Sequence, residues 1–151
     1  MNGVLGGSAK KTVVVVDGLG GGIGEELVKK LVVLSEKVEP LDIIALATNS
    51  TAAARMVKAG ASRGASGENA IKRSVNLGDF ILGPIGVIIA NSMLGEITCG
   101  ITQAVLDAPG RRILIPLQND HIILAGVEGV ALSKMIEKAV EAVEKALKND
   151  A

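Results

Sequence analysis

A glycine run between a buried strand and an amphipathic helix constrains this chain more than any other feature. Residues 12–16 read TVVVV, residues 17–24 read DGLGGGIG, and Ile23, Leu27, Leu31 and Leu34 then recur at helical spacing. The β-branched run shows no alternation, so it predicts a strand covered on both faces. Lys29 and Lys30 point away from the apolar stripe of the helix. Residues 41–47 (LDIIALA) form a second buried run just after Pro40. Strand, helix and strand in that order imply a parallel pair joined by a crossover.

The rest of the chain extends this α/β pattern. Residues 50–59 are Ala-rich and helical, with Gly60 as the stop. Residues 61–67 (ASRGASG) read as loop, and 68–77 as a short helix with Ser66 as its N-cap. Residues 79–82 predict a third strand. Residues 85–94 are apolar and compatible with a helix or a buried irregular segment, and 95–108 predict a helix. Residues 112–117 (RILIPL) predict a fourth strand, with Pro116 better suited to a place near an edge. Only Gln118, Asn119 and Asp120 separate this strand from the apolar run 121–127. A parallel crossover needs about a dozen residues, so the run 121–127 is expected to be an antiparallel edge strand. Leu132, Met135, Ile136, Ala139, Val140, Val143 and Leu147 draw one stripe on a final helix, with Glu141–Lys145 and Glu144–Lys148 on its solvated face. The expected fold is a three-layer α/β sandwich. Its sheet has about five strands, mostly parallel with an antiparallel edge. Residues 1–11 are a Gly-rich lead-in, and 12–151 form one domain.

Composition limits the chemistry. Aromatics make up 1% of the chain, with no Trp or Tyr and a single Phe. Sugar platforms, aromatic cages and base-stacking sheets all need ring faces. Sixteen basic residues balance sixteen acidic ones without forming a basic face, which argues against nucleic-acid partners. One Cys (Cys99) and one His (His121) leave no zinc set, so both read as structural and no metal ligands are assigned. The longest uncharged stretch, 80–95, is too short to span a membrane, and the lead-in lacks a secretory h-region. A soluble, cytoplasmic protein is expected.

The glycine loop is the main chemical signal. Glycines allow positive φ and close approach, and a helix N-terminus offers unpaired N–H groups to an anion. The spacing GxGxxG fails because Ile23 stands in its third place, whereas GxxxGxG fits as Gly18, Gly22 and Gly24. The latter resembles the cofactor loop of short-chain dehydrogenases. That family's catalysis requires a tyrosine, which this chain lacks, so the likeness ends at the loop. Asp17, Glu25 and Glu26 favour the helix start but repel a phosphate. Thr48, Asn49 and Ser50 stand where a ribose-binding acid is expected after the second strand.

Two other strand ends carry polar or glycine-rich turns, around Gly83 and Gly86 and at Gln118, Asn119 and Asp120. The anion-site candidates are Gly18, Gly20, Gly21, Gly22, Gly24, Thr48, Asn49, Ser50, Arg63, Gly83, Gly86, Asn91 and Ser92. Arg63 is a candidate phosphate partner. Asn91, Ser92 and Glu96 interrupt an apolar segment and must find partners. Each of these also has a plain reading as turn, cap or surface chemistry.

Three blocks resemble one family in combination: DGLGGGIG at 17–24, TNSTAAARMVKAGASRGASGENA at 48–70 and GPIGVIIANSMLGEIT at 83–98. They are similar to an uncharacterised family of short prokaryotic Rossmann-like proteins known only as a domain of unknown function. The resemblance implies a single Rossmann-like domain and carries no reaction, substrate or catalytic residue with it.

Three functions stay open on these residues. The first is binding of a small anionic ligand, a nucleotide, dinucleotide or phosphorylated metabolite, on the glycine loop. The second is a small-molecule enzyme at the same crevice, with Asp17 or Glu96 as acid/base and Mg²⁺ held by carboxylates as an option. The third is a non-catalytic regulatory or scaffold subunit. The apolar run 85–94 is long for one domain to bury, so a homo-oligomer is expected, most simply a C2 dimer.

Overall fold

The computed structural model describes residues 9–118 and 121–150. Five strands form one sheet in the order β3-β2-β1-β4-β5. These are β1 (Lys11–Asp17), β2 (Leu41–Ala47), β3 (Arg63–Ser66), β4 (Phe80–Pro84) and β5 (Arg111–Ile115). Every pairing is parallel. Five helices cover the sheet: α1 (Gly22–Lys37), α2 (Ser50–Lys58), α3 (Glu68–Ser74), α4 (Cys99–Asp107) and α5 (Leu132–Asn149).

The strand β1 is central because its side chains serve two cores at once. Val13 and Val15 pack with Leu27, Leu31, Met56, Val143 and Leu147, from α1, α2 and α5. Val14 and Val16 turn to the other face and meet Ile71, Val75, Ile101 and Val105. All four valines are fully buried, as expected for a non-alternating strand in a doubly covered sheet. The result is three layers. The order reverses between β1, which leads to β2, and β4 on its other side. In open parallel sheets such a reversal leaves a crevice outside the strand carboxyl ends, where ligands bind.

Four expectations need correction. Among the described residues no antiparallel edge strand is seen, and every strand pairing is parallel. The fifth strand is instead β3, formed by RGAS within the expected loop 61–67. Its small and polar residues give no apolar run, and it pairs only with β2 at the sheet edge. The run 121–127 is turn and irregular chain with a single bridge residue at Ile122. Ser66 ends β3 and does not cap α3, whose N-cap is Gly67 at φ 103. The helix after the apolar segment starts at Cys99 and not at Gly95, because the Thr98 side chain accepts from Ile101 N at 3.1 Å and fixes the cap there. Asn119 and Asp120 lie outside the described residues, as do 1–8 of the lead-in.

The apolar run 85–94 is only partly covered within the chain. It starts as a 3-10 turn (Ile85–Ile88). Val87 is buried and its neighbours are half-buried, whereas Leu94 is 96% exposed. Cys99 is exposed. Among the described residues, no helix is long and apolar enough to cross a membrane.

Candidate functional site

The site is assembled from three loops at the carboxyl end of the sheet. The first is the glycine loop between β1 and α1. Asp17 ends β1 and is 4% exposed. Its Oδ1 accepts the Gly18 N–H at 2.8 Å and its Oδ2 accepts the Gly24 N–H at 2.7 Å. Both oxygens thus clamp the loop onto the first turn of α1. Burial pushes the Asp17 carboxyl above its ordinary value, against the opposing pull of the Gly24 and Gly18 amides. The loop also closes on itself, with Gly21 N donating to Gly18 O at 2.9 Å. Gly21 takes φ 75 as the N-cap of α1 and receives no side-chain cap.

This wiring leaves a defined set of donors. Among the described residues, the N–H groups of Gly20, Gly22 and Ile23 meet no acceptor. They lie at the positive end of α1, where partial charge and free amides favour an anion. Beside them is a crevice of 290 Å³ bounded by the loop and by Pro84, Met93 and Leu117. It opens at the β1/β4 reversal. A comparable cavity of 310 Å³ lies between β5 and α5, lined by Ile113, Leu114, Pro116 and Met135 among others and away from the glycine loop.

The second loop follows β2. Asn49 caps α2, its Oδ1 accepting from Ala52 N at 2.8 Å. Its Nδ2 donates to Leu19 O at 2.9 Å and to Glu96 Oε1 at 3.1 Å. The Thr48 hydroxyl donates a short hydrogen bond to the same Glu96 oxygen. Ser50 is the exposed first residue of α2. From the second turn of α2, Arg55 reaches back to the glycine loop. Its Nη1 donates to Gly20 O at 3.0 Å and its Nη2 pairs with Glu25 Oε1 at 2.9 Å.

The third loop, 89–98, crosses from β4 to α4 as a strap. Asn91, Met93, Leu94 and Gly95 all have left-handed φ, at 69, 58, 56 and 88°. For residues other than Gly and Asn that conformation is strained by about 1–2 kcal/mol each. Such strain persists where the surroundings over-determine it, commonly at functional sites. Ser92 Oγ donates to Gly86 O at 2.5 Å and Asn91 N donates to Ile97 O at 2.7 Å. The strap delivers Met93 to the crevice and Glu96 to the first two loops. Glu96 Oε1 accepts from Leu19 N at 2.8 Å as well as from Thr48 and Asn49. Those donors, the Thr48 hydroxyl first, hold the Glu96 carboxyl below its ordinary value.

The structure therefore brings Asp17, Gly18, Gly20, Gly21, Gly22, Gly24, Thr48, Asn49 and Glu96 together, with Ser50 alongside. It places Arg63 elsewhere. That residue stands three positions before the carboxyl end of β3, and its Nη2 pairs with Asp42 Oδ2 at 3.0 Å near the amino end of β2. Gly83 lies within β4, where a Cβ would overlap the Val16 carbonyl oxygen, so strand packing accounts for it. Gly86 accepts the strap through Ser92, and the Asn91 side chain is exposed. Gln118 Oε1 accepts from Leu124 N at 3.1 Å. Among the described residues, no group of three or more His, Cys, Asp or Glu side chains could hold a metal ion.

Two participants escape sequence reasoning. Arg55 is one; its only signal is that α2 starts beside the glycine loop, so its first turns lie within reach. The Leu19 N–H is the other, since nothing local in DGLGGGIG marks it for a carboxylate 77 residues away.

A family profile described as "Domain of unknown function (DUF3842)" matches residues 12–148. No curated protein matches the chain.

Proposed function

The chain belongs to the DUF3842 family, whose description assigns no ligand, and on the geometry we propose that it is a Rossmann-like protein binding the phosphate of a nucleotide or phosphorylated metabolite. The observation that carries this reading is the set of free amides at Gly20, Gly22 and Ile23 beside the 290 Å³ crevice. The strand order supports it, being that of a doubly wound dinucleotide-binding sheet without its sixth strand. Arg55 adds a cation: its guanidinium nitrogens come within 3.7–3.9 Å of where a Cβ on Gly20 or Gly22 would stand. A phosphate on the amides would gain a charge-assisted partner there.

The phosphate would rest on backbone and not on aromatic rings. Any base or apolar group attached to it would lie against Pro84, Met93 or Leu117. Asp17 reads as the brace of the loop, because both of its oxygens already accept backbone N–H groups. That geometry speaks for binding over acid/base chemistry at Asp17.

The test is a thermal-shift panel of inorganic pyrophosphate, ADP, NAD⁺, NADP⁺, coenzyme A and S-adenosylmethionine. A ligand at 100 times its Kd adds about 2.7 kcal/mol, which raises Tm by about 5–10 °C for a domain of this size. A panel in which no phosphate-bearing compound shifts Tm overturns the reading.

A further inference from the structure

Glu96 stands where a ligand anion would stand. Its Oε1 is the common acceptor for the Leu19 N–H, the Thr48 hydroxyl and the Asn49 amide. These three donors come from two loops, after β1 and after β2, and share no acceptor other than this oxygen. Among the described residues, no cationic side chain forms an ion pair with Glu96. The carboxylate is thus held entirely by uncharged donors, the kind that bind a phosphate oxygen equally well.

The segment carrying Glu96 is bonded largely within itself and is fastened to the body by Ile97 in the core, by Ser92 at Gly86 and by Thr98 at Glu68, besides Glu96. The strap is bonded within itself, through Asn91 N to Ile97 O, Ile97 N to Ser92 O and Glu96 N to Met93 O. Met93 and Leu94 are held in the left-handed region, and Leu94 at the tip is 96% exposed. Glu96 is the strap's side-chain link to the glycine loop and to the turn after β2. Met93, three residues earlier, forms one wall of the crevice.

We propose that Glu96 is an internal anion that latches the strap shut, and that a ligand phosphate oxygen displaces it from Leu19, Thr48 and Asn49. The donors form a second anion subsite next to the free amides of Gly20, Gly22 and Ile23. Displacement lets the strap lift, withdraws Met93 and enlarges the crevice. The latch rests on the phosphate reading for its ligand and on the contacts of Glu96 for its geometry. It imposes selectivity, since a ligand must supply an oxygen that competes with a carboxylate already in place.

The experiment compares wild type with Glu96→Ala, without ligand and with inorganic pyrophosphate, by hydrogen exchange and calorimetry. The ligand-free variant should exchange amides of residues 89–98 at least tenfold faster than wild type. Pyrophosphate should accelerate the same amides in wild type, and it should bind the variant at least tenfold more tightly. Unchanged exchange in ligand-free Glu96→Ala overturns the latch. Pyrophosphate binding of equal strength to both proteins also overturns it, while leaving the phosphate reading standing. Binding to neither protein overturns both.

Discussion

The Asp17 carboxylate spans the glycine loop to accept the N–H of Gly24, seven residues on, at 2.7 Å. The end of β1 is thereby tied to the first turn of α1, and the glycines between are drawn into one fixed curve. Removing that carboxylate leaves the Gly18 and Gly24 amides without an acceptor in a buried place. Asp17→Ala should cost about 2–3 kcal/mol of stability, and Asp17→Asn, which keeps one acceptor, about 1–2 kcal/mol. Urea denaturation at neutral pH measures both, and a loss below about 0.5 kcal/mol for the alanine variant would contradict the brace.

Two carboxyl groups of the site should titrate in opposite directions. Asp17 is raised above 3.8 by burial, so the stability it contributes is complete below that value and declines as pH rises through its folded value. Glu96 is held below 4.5, chiefly by the Thr48 hydroxyl, so its contribution is present above 4.5 and is lost as pH falls through its folded value. The two groups face each other closely enough for Glu96 to push Asp17 upward. Amide NMR separates them. Gly18 and Gly24 should report a midpoint above 3.8, and Leu19 a midpoint below 4.5. A Leu19 midpoint at or above 4.5 would show that Glu96 is not held by its donors.

Glycines within the same sheet-and-loop region differ in what they must avoid. A Cβ at Gly83 would overlap the backbone carbonyl of Val16, which cannot move without disturbing the β1–β4 pairing. A Cβ at Gly24 would overlap the Met56 sulfur, part of a flexible side chain, with the Asp17 Cβ next at 3.1 Å. Gly83→Ala should therefore cost clearly more stability than Gly24→Ala, whose cost is about 1–3 kcal/mol. Thermal denaturation of the two variants ranks them, and the reverse order would refute this packing account.

Arg55 should matter to ligand and little to fold. Its pair with Glu25 is half-exposed on the Arg55 side, and exposed pairs contribute about 0–1 kcal/mol. Arg55→Ala is expected to move Tm by less than about 3 °C and to weaken pyrophosphate binding about tenfold, a loss of about 1.4 kcal/mol. Calorimetry with an unchanged Kd would remove Arg55 from the site.

The sequence makes the central architecture legible because buried parallel strands and amphipathic helices leave periodic marks. TVVVV and LDIIALA lie where β1 and β2 stand, and the stripe from Leu132 to Leu147 coincides with α5. The strand β3 leaves no such mark. RGAS is short, polar and at an edge, so its pairing with β2 supplies what its composition does not. The run 121–127 shows the converse error, an apolar stretch that forms turn and irregular chain. The same division holds in the site. The glycine loop and the turn at Thr48 and Asn49 are local and readable. The reach of Arg55 to Gly20 and of Glu96 to Leu19 depends on how far-apart segments fold together. Arg63, the arginine that the loop composition favours, is drawn instead to Asp42.

The central claim is that the glycine loop offers Gly20, Gly22 and Ile23 as a phosphate cradle. An amide NMR titration with inorganic pyrophosphate tests it most directly. The account predicts large, saturable shifts at these three amides with one common Kd, while Gly24, already held by Asp17, moves less. Saturable binding that leaves all three amides unmoved, or no binding at all, would contradict it.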